Sequence, residues 1–316
     1  MTATRPRTRW QRLGRVALVL FLLVVGALLV RYFRAVDWRE VARVVGAYDV
    51  GTLAAAASLA VLSYALYAGY DVLARRYTGH RLPARQVLAI AAVSYAFNLN
   101  LGALVGGAGF RFRLYSRYGL DAATITRILA FCVATNWLGY MALAGAVFAT
   151  GNVAIPPGWH VGAGGLQATG AVLLCAVIAY LAACARWHDR DWTLRGHEIR
   201  LPSLPTGVLQ IAVAAANWSV IATIVWVLLH RQVELGTMLT VVLLAAIAGA
   251  MTHVPGGLGV VEVVVLTMLD ERLPRHELVA ALVVYRALYY VLPLIVAAVT
   301  YGRLEANARR GARTSG

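Results

Sequence analysis

The sequence contains no lysine, and 29 of its residues are arginine. Acidic residues are also few, at 14, and the formal net charge is +15. A chain this basic could bind nucleic acid, but its arginines lie at the ends of apolar blocks instead of on a soluble domain. That arrangement is typical of membrane anchoring. We therefore predict no nucleic-acid partner.

Catalytic and metal-binding patterns are equally scarce. Cys132, Cys175 and Cys184 lie in apolar stretches without CxxC spacing, which argues against a disulfide framework and a zinc site. No HExxH, Walker A, GxSxG or Rossmann string occurs. One DxD triplet, Asp189-Arg-Asp191, resembles the motif that holds a nucleotide diphosphate in sugar transferases, but its loop is too short for a nucleotide-binding domain. The sequence predicts no metal, no cofactor and no enzymatic activity.

Apolar residues, by contrast, are abundant. They make up 60% of the chain, and its mean hydropathy is +0.70. They fall in blocks of about 15 to 25 residues, the length that crosses about 30 Å of hydrocarbon. The first block, residues 16–30, follows five arginines and runs into Arg31 without a cleavage site, so we interpret it as an uncleaved helix. The sequence predicts a multi-pass protein of the cell (inner or plasma) membrane.

The distribution of arginine among the loops predicts a topology with both termini in the cytoplasm. Residues 75–85 are strongly basic, residues 150–165 contain no arginine or acidic residue, and residues 186–200 are again rich in arginine. The two ends of residues 86–110 must then lie on the same side, although this stretch is almost wholly apolar. A re-entrant hairpin of two half-length helices, each of about 10 to 12 residues, satisfies that requirement.

The second half of the chain poses the same problem from the opposite side. Residues 207–229 leave the cytoplasm and residues 277–301 return to it, so residues 235–269 must form a second re-entrant hairpin that begins and ends outside. We predict an all-α fold with about six full transmembrane helices and two oppositely entering re-entrant hairpins in an inverted repeat. The predicted parts are a basic cytoplasmic N-terminal tail (1–15), a single transmembrane domain (16–303) and a basic cytoplasmic C-terminal tail (304–316).

The two predicted hairpins share a glycine pattern. GGAG and GGLG recur about 150 residues apart, and LDAATITRIL at residues 120–129 aligns with LPRHELVAAL at residues 273–282. Inverted halves with glycine- or proline-broken segments at matching positions indicate the midplane binding site of a transporter. Chance recurrence among 29 glycines is the alternative. The predicted helix-breaking glycines are Gly106, Gly107, Gly256, Gly257 and Gly259.

Two charged residues lie where lipid is expected. Glu262 stands in the apolar run GVVEVVVLTML, where an unpaired carboxylate would cost at least a few kcal/mol. Arg286, in LVVYRALYY, lies roughly 14 Å into the bilayer when counted from the nearest charged cluster. Two interpretations stay open. The residues form a structural ion pair that holds the second hairpin, or they belong to a substrate-binding site.

Arg111, Arg113 and His253 complete the predicted substrate-binding set. Both arginines follow the first pair of glycines, and a guanidinium suits a lipid phosphate because two parallel hydrogen bonds meet two oxygens. Ordinary anchoring at the cytoplasmic surface is the alternative. His253 precedes the Pro-Gly-Gly break and either binds a head group or caps a broken helix. Asn98 and Asn100 are expected to satisfy carbonyl groups freed by the first break.

Two motifs resemble the signatures of one family: NLNLGALVGGAGFR at residues 98–111 and HVPGGLGVVE at residues 253–262. The chain is similar over residues 15–305 to the lysylphosphatidylglycerol synthase transmembrane-domain family, also called flippase-like or YbhN-like. The resemblance implies a lipid-handling membrane domain. In the best-known member this domain is fused to a soluble aminoacyl-transferase, for which this chain has no room.

The function predicted from these observations is a flippase-like lipid translocase that moves or binds an anionic phospholipid or a polyprenyl-linked lipid. Its expected partner is a membrane lipid with a phosphate head group. The alternative is a non-transporting membrane subunit that anchors or regulates a separate enzyme of lipid or envelope-glycan synthesis. A third hypothesis, a membrane-embedded transferase, would use Asp189 and Asp191.

Overall fold

The computed structural model describes residues 38–150, 162–194, 197–252 and 254–314. The predicted N-terminal tail, the predicted first helix, most of the loop at residues 150–165 and His253 lie outside these ranges. The division of the chain into two tails and one membrane domain therefore stays a prediction.

The described residues are almost entirely helical. A short antiparallel hairpin pairs β1 (Asp191–Leu194) with β2 (His197–Arg200). Three tighter or wider helical turns occur at Ala103–Gly109 (π), Pro255–Gly257 (3-10) and Ala287–Val291 (π). The α-helices are α1 (Trp38–Gly46), α2 (Val50–Thr78), α3 (Ala84–Leu101), α4 (Phe110–Arg117), α5 (Ala122–Ala149), α6 (Ala163–Trp187), α7 (Leu204–Leu228), α8 (Leu235–Thr252), α9 (Val260–Leu269), α10 (Arg275–Arg286) and α11 (Leu292–Thr314).

Six helical stretches of the described chain are long and apolar enough to cross a membrane. The predicted class, a polytopic helical membrane protein, is confirmed. Five of the six coincide with predicted full-length helices. The six stretches are Val50–Thr78, Ala122–Ala149, Gly164–Trp187, Leu204–Leu228, Leu235–Thr252 and Arg275–Leu304.

The first arm of each predicted hairpin is longer than expected. Both α3 and α8 contain 18 residues, or about 27 Å of helix, whereas α4 has 8 and α9 has 10. The predicted half-length of 10 to 12 residues is wrong for α3 and α8. The first break lies near the end of its apolar stretch, and the second stretch is longer than two half-length arms require. How these segments enter the bilayer stays a prediction.

Aspartates fix the start of two long helices. The side chain of Asp49 accepts a hydrogen bond from the backbone N–H of Thr52 at 2.9 Å, and Asp121 accepts one from Thr124 at 2.9 Å. Each carboxylate satisfies one of the N–H groups that a helix N-terminus leaves without an intrahelical partner. Asp121 belongs to the segment LDAATITRIL of the internal alignment, and in the structure it caps the start of α5.

Hydrogen bonds near the ends of the long helices define two opposite ends of the molecule. At one end the hydroxyl of Tyr77 donates to the carbonyl of Arg200, and the hydroxyl of Tyr118 donates to that of Leu304. At the other end the hydroxyl of Tyr48 donates to the carbonyl of Leu228, and Gln232 donates to Glu277. The helices α2 and α7 each run from one of these ends to the other. The first break segment, residues 77–118, therefore begins and finishes at one end of the molecule, and the second, residues 232–277, begins and finishes at the opposite end.

The chain repeats its element order. In each half a full-length helix is followed by an 18-residue arm, a glycine break, a short helix and a further long helix. The halves are α2 to α5 and α7 to α10 with α11, and α2 packs along α7 at their junction. This order matches the internal repeat inferred from the glycine pattern.

Candidate functional site

The second break, residues 254–259, is held by an ion pair between Glu262 and Arg286. The Arg286 Nε donates to Glu262 Oε1 at 2.7 Å and its Nη2 donates to Oε2 at 3.2 Å, so the pair is bidentate. The side chains of Arg286 and Glu262 are only 15% and 24% exposed, respectively. The structure thus contains the ion pair that one of the two sequence interpretations requires. A role of either residue in substrate binding stays a prediction.

The same guanidinium also binds the backbone of the break. Arg286 Nη1 donates to the carbonyl of Gly256 at 2.7 Å, and Nη2 donates to that of Gly257 at 3.2 Å. On the other side of the break, Glu262 Oε2 accepts the backbone N–H of Gly259 at 2.8 Å. Polar backbone groups without intrahelical partners are costly at membrane depth. The ion pair therefore provides partners for the groups that the break sets free.

The second break contacts the end of α3 at Gly256. A β-carbon at this position would lie 2.7 Å from the carbonyl oxygen of Leu99, near the end of α3. Gly256 also has a φ of 66°, in the left-handed region that favours glycine. Gly257 and Gly259 lie in the same break, so all three glycines predicted there are break residues in the structure.

The first break, residues 102–109, folds back on α3. A β-carbon on Gly106 would lie 2.0 Å from the carbonyl oxygen of Phe97, so only glycine permits this approach. Gly107 lies against the side chain of Asn98. The amide of Asn100 donates to the carbonyl of Ala96 at 2.8 Å and to that of Tyr290 at 3.3 Å. Ala96 lies within α3 and Tyr290 in the π-turn, so the predicted role of Asn98 and Asn100 towards carbonyls freed by the first break stays a prediction.

Arg111 forms a second ion pair, with Asp71 of α2. Arg111 Nε lies 3.1 Å from Asp71 Oδ1 and Nη2 lies 3.0 Å from Oδ2, while Nη1 lies 3.5 Å from the carbonyl of Gly107. The side chain of Arg111 is 3% exposed and that of Asp71 is 0% exposed. The sequence placed Arg111 in a cytoplasmic loop, but it is buried because Asp71 offers a partner for its charge.

Asp71 is the functional candidate that the sequence pattern did not single out. It also accepts a hydrogen bond from the hydroxyl of Tyr115 at 3.0 Å and lies 3.5 Å from the thiol of Cys132. The available signal was a carboxylate in the apolar run SYALYAGYDVLA, the same signal that identified Glu262. Each break therefore has a nearby arginine that a carboxylate from within the same half of the molecule holds in place.

The remaining predicted residues are less closely tied to the breaks. Arg113 is exposed on α4, with its guanidinium 5.8 Å from the ring centre of Tyr301. His253 lies outside the described residues. Asp189 is exposed and pairs with Arg200 at 3.6 Å in the charged loop. The three cysteines are free, as expected.

A cavity of about 280 Å³ lies where the two breaks meet. Its lining comes from α3, α7, α8, α9, the end of α10, both breaks and the π-turn at Ala287–Val291. Among the described residues, Arg111, Arg113, Glu262 and Arg286 are outside this lining, whereas Gly256 and Gly257 belong to it. The sequence predicted charged residues around the cavity, but those of the two ion pairs are bound to each other and to the backbone of the breaks.

These features define a class: a polytopic helical membrane protein with two glycine-broken segments that meet at a cavity between its two halves. The family model for the lysylphosphatidylglycerol synthase TM region matches residues 15–297. The chain belongs to that family, and the resemblance seen in the two glycine motifs is confirmed.

Similar proteins place the chain in the cell membrane. It is 41% identical over 308 residues to inner membrane protein YbhN of Escherichia coli, covering 97% of both chains. It is 30% identical over 320 residues to the uncharacterized protein slr0712 of Synechocystis, again covering 97% of both. A phosphatidylglycerol lysyltransferase of Staphylococcus haemolyticus is 25% identical over 224 residues, which are 67% of this chain and 25% of that protein. The chain is thus a multi-pass inner-membrane protein of a lipid-related family.

Proposed function

We propose that this protein moves a membrane lipid between the two leaflets, and that the lipid carries an anionic phosphate or a polyprenyl-linked head group. The observation that carries the proposal is the contact of the second break with the end of α3, at Gly256 and Leu99, beside a cavity that residues of both breaks line. Broken helices that meet in the middle of an inverted repeat are the usual location of a transporter's binding site. Membership of a lipid-related family supports the same class of ligand.

In this proposal the exposed arginine of the first half, Arg113, meets the head group. Arg113 is exposed near the end of the molecule that contains Tyr118 and Leu304, and its guanidinium can bind a phosphate there. We assign this end to the cytoplasm, because the basic loops predicted to be cytoplasmic collect at it. Arg111 lies deeper, and Asp71 fixes its orientation.

The second half supplies the moving part. Arg286 binds the carbonyls of Gly256 and Gly257 only while Glu262 holds its guanidinium in place. Passage of a lipid requires these contacts to separate and form again, because Gly256 and Gly257, whose carbonyls Arg286 binds, line the cavity. His253, at the start of this break in the sequence, is proposed to contact the head group during passage.

A reconstitution experiment tests the proposal. Purified protein in liposomes that contain a fluorescent anionic phospholipid, or a polyprenyl-linked lipid, is expected to make the labelled lipid of the inner leaflet accessible to an external quencher. The matched variant exchanges the charges, Glu262→Arg with Arg286→Glu. Recovered folding without lipid movement indicates a functional role for the pair, and recovery of both indicates a purely structural one. A folded protein that moves none of these lipids contradicts the proposal.

One observation favours a second candidate, a non-transporting subunit that anchors or regulates an enzyme of lipid or envelope synthesis. Both ion pairs are satisfied by their own partners and the nearby backbone, which is sufficient for a purely structural role. Under this candidate, charge substitutions change stability alone, and the protein purifies from native membranes together with an enzyme. Purification without a partner enzyme counts against it. In both candidates the chain itself performs no transfer chemistry.

A further inference from the structure

The cavity between the breaks is lined mainly by apolar residues. The lining includes Leu99 and Gly102 at the end of α3, Gly249 and Ala250 of α8, and Gly256 of the second break. No charged residue belongs to the lining formed by the described residues. Its polar members are one asparagine and several aromatic residues with a polar atom at the edge, and the cavity is partly open.

We propose that this cavity binds the hydrocarbon chain of a lipid and does not receive the charged head group. The inference rests on the proposed function in that the ligand is a lipid. It goes further by assigning the two parts of that lipid to different places: the chain lies between the breaks, and the head group stays outside them.

Two of the hydroxyl groups that line the cavity, those of Tyr95 and Tyr289, have no hydrogen left for a phosphate. Ser63 donates its single hydrogen to the side-chain oxygen of Asn217 at 2.6 Å, so the Tyr289 hydroxyl, 2.7 Å away, must donate to Ser63. Tyr95, 2.7 Å from Tyr289, must in turn donate to Tyr289. Both of these tyrosines line the cavity. An anion entering here would lose its hydration and gain no donor from them.

The nearest guanidinium is equally occupied. All three nitrogens of Arg286 donate to Glu262 or to the carbonyls of the break. Moving an anion into contact with Arg286 would leave Glu262 and these carbonyls without a partner at membrane depth, which is costly. A hydrocarbon chain requires none of these bonds to break, and it fills a void whose lining otherwise lacks contacts on one side.

The rim of the cavity is also apolar. Leu104 is 86% exposed in the first break, and Met251 is 74% exposed at the end of α8. Leu258, in the second break, is exposed as well. These side chains follow lining residues along the chain and extend an apolar surface outward, towards the acyl chains of the surrounding lipid. A hydrocarbon chain can therefore enter from the bilayer without crossing a polar barrier.

Two photoreactive phosphatidylglycerol probes test the proposal with the full-length protein in liposomes. One has the reactive group in the acyl chain and the other has it on the head group. We expect the chain probe to label α3 and α8 at the cavity. Ala250→Trp, which fills the cavity, should lower this labelling at least several-fold. The matched control Leu235→Trp adds the same side chain at the exposed start of α8, outside the lining and the rim, and should leave labelling unchanged.

A second filling variant guards against misfolding of the first. Gly249→Leu enters space in which a β-carbon meets only the α-carbon of Gly257, at 3.9 Å. Equal or stronger labelling of the cavity by the head-group probe overturns the inference, as does chain labelling that neither filling variant reduces. Lipid movement is measured separately. Chain labelling without movement rejects translocation and leaves the chain site. Movement with head-group labelling in the cavity rejects the chain site and leaves translocation.

Discussion

Gly256 packs so closely against Leu99 that a β-carbon at Gly256 would lie 2.7 Å from the carbonyl oxygen of Leu99. This contact joins the first half of the molecule to the second through backbone alone. No side chain intervenes, so the distance between the second break and the end of α3 depends on the absence of a methyl group at Gly256.

Gly256→Ala should therefore destabilise the protein. The new methyl group collides with Leu99, and an L-residue in the left-handed region adds about 1–2 kcal/mol of backbone strain. We expect a lower unfolding temperature in detergent and weaker lipid movement. The control is Gly236→Ala on α8, where a β-carbon meets nothing within 4 Å. Equal unfolding temperatures for the two variants would show that Gly256 and Leu99 do not pack as closely as described.

Removing one partner of the buried Asp71–Arg111 pair should be severe. Asp71→Asn leaves the guanidinium of Arg111 without its counter-charge, which typically costs about 3–5 kcal/mol. The double variant Asp71→Leu with Arg111→Met removes both charges and should recover most of the stability. Arg113→Met, on the exposed side of α4, serves as a control with a change of about 0.5 kcal/mol or less. The prediction fails if Asp71→Asn is as mild as Arg113→Met in equilibrium unfolding.

The two ends of the molecule should differ in their access to a membrane-impermeant thiol reagent. Arg117 and Arg272 are exposed at opposite ends. In a variant lacking Cys132, Cys175 and Cys184, Arg117→Cys should react only in inside-out vesicles and Arg272→Cys only in intact cells whose outer membrane has been permeabilised. Labelling of both positions from one side would contradict the topology.

The stability should fall in mildly acidic solution because of His80. This residue lies in the loop after α2, and its ring nitrogens are buried without a hydrogen-bond partner among the described residues. Burial, followed by the charge of Arg75, lowers the pKa of His80 below its ordinary value of 6.5. The unfolded chain therefore takes up the proton first as the pH falls, so stability is greatest above 6.5 and decreases towards the folded pKa.

His80→Gln separates this effect from the other histidines. Melting temperatures are measured at a pH of about 7.5 and about 5.5, on either side of the ordinary titration range of histidine. The variant should lose less stability than the wild type between the two. A wild-type protein that becomes more stable at the lower pH would contradict a lowered pKa for His80, because the folded state would then bind the proton more tightly than the unfolded chain.

Several features of the fold follow directly from the sequence. Long apolar blocks are sufficient to predict the membrane-spanning helices, because hydrocarbon thickness fixes their length. Glu262 and Arg286 were identifiable because an isolated charge in an apolar run needs a partner. The glycine strings predicted both breaks, since Gly106 and Gly256 are positions that no larger residue can occupy.

Other features depend on which helices meet, and the sequence does not contain that information in a local form. Asp71 lies seven residues before the end of α2, close to Arg75 and Arg76, so it resembles part of a charged helix end. Its true partner is 40 residues away. The predicted lengths of α3 and α8 were also wrong, because hydropathy continues unchanged across a glycine break. The cavity arises from packing between the halves and has no sequence signature of its own.

The two carboxylate–arginine pairs differ in burial, and this difference indicates which of the two breaks opens first. Asp71 and Arg111 are almost fully enclosed, whereas Glu262 and Arg286 keep 24% and 15% of their side-chain surface accessible. Water or a lipid oxygen can compete for the second pair but not for the first. The two halves have the same order of elements, but we expect the first half to stay rigid and the second half to move. The second break should therefore open before the first.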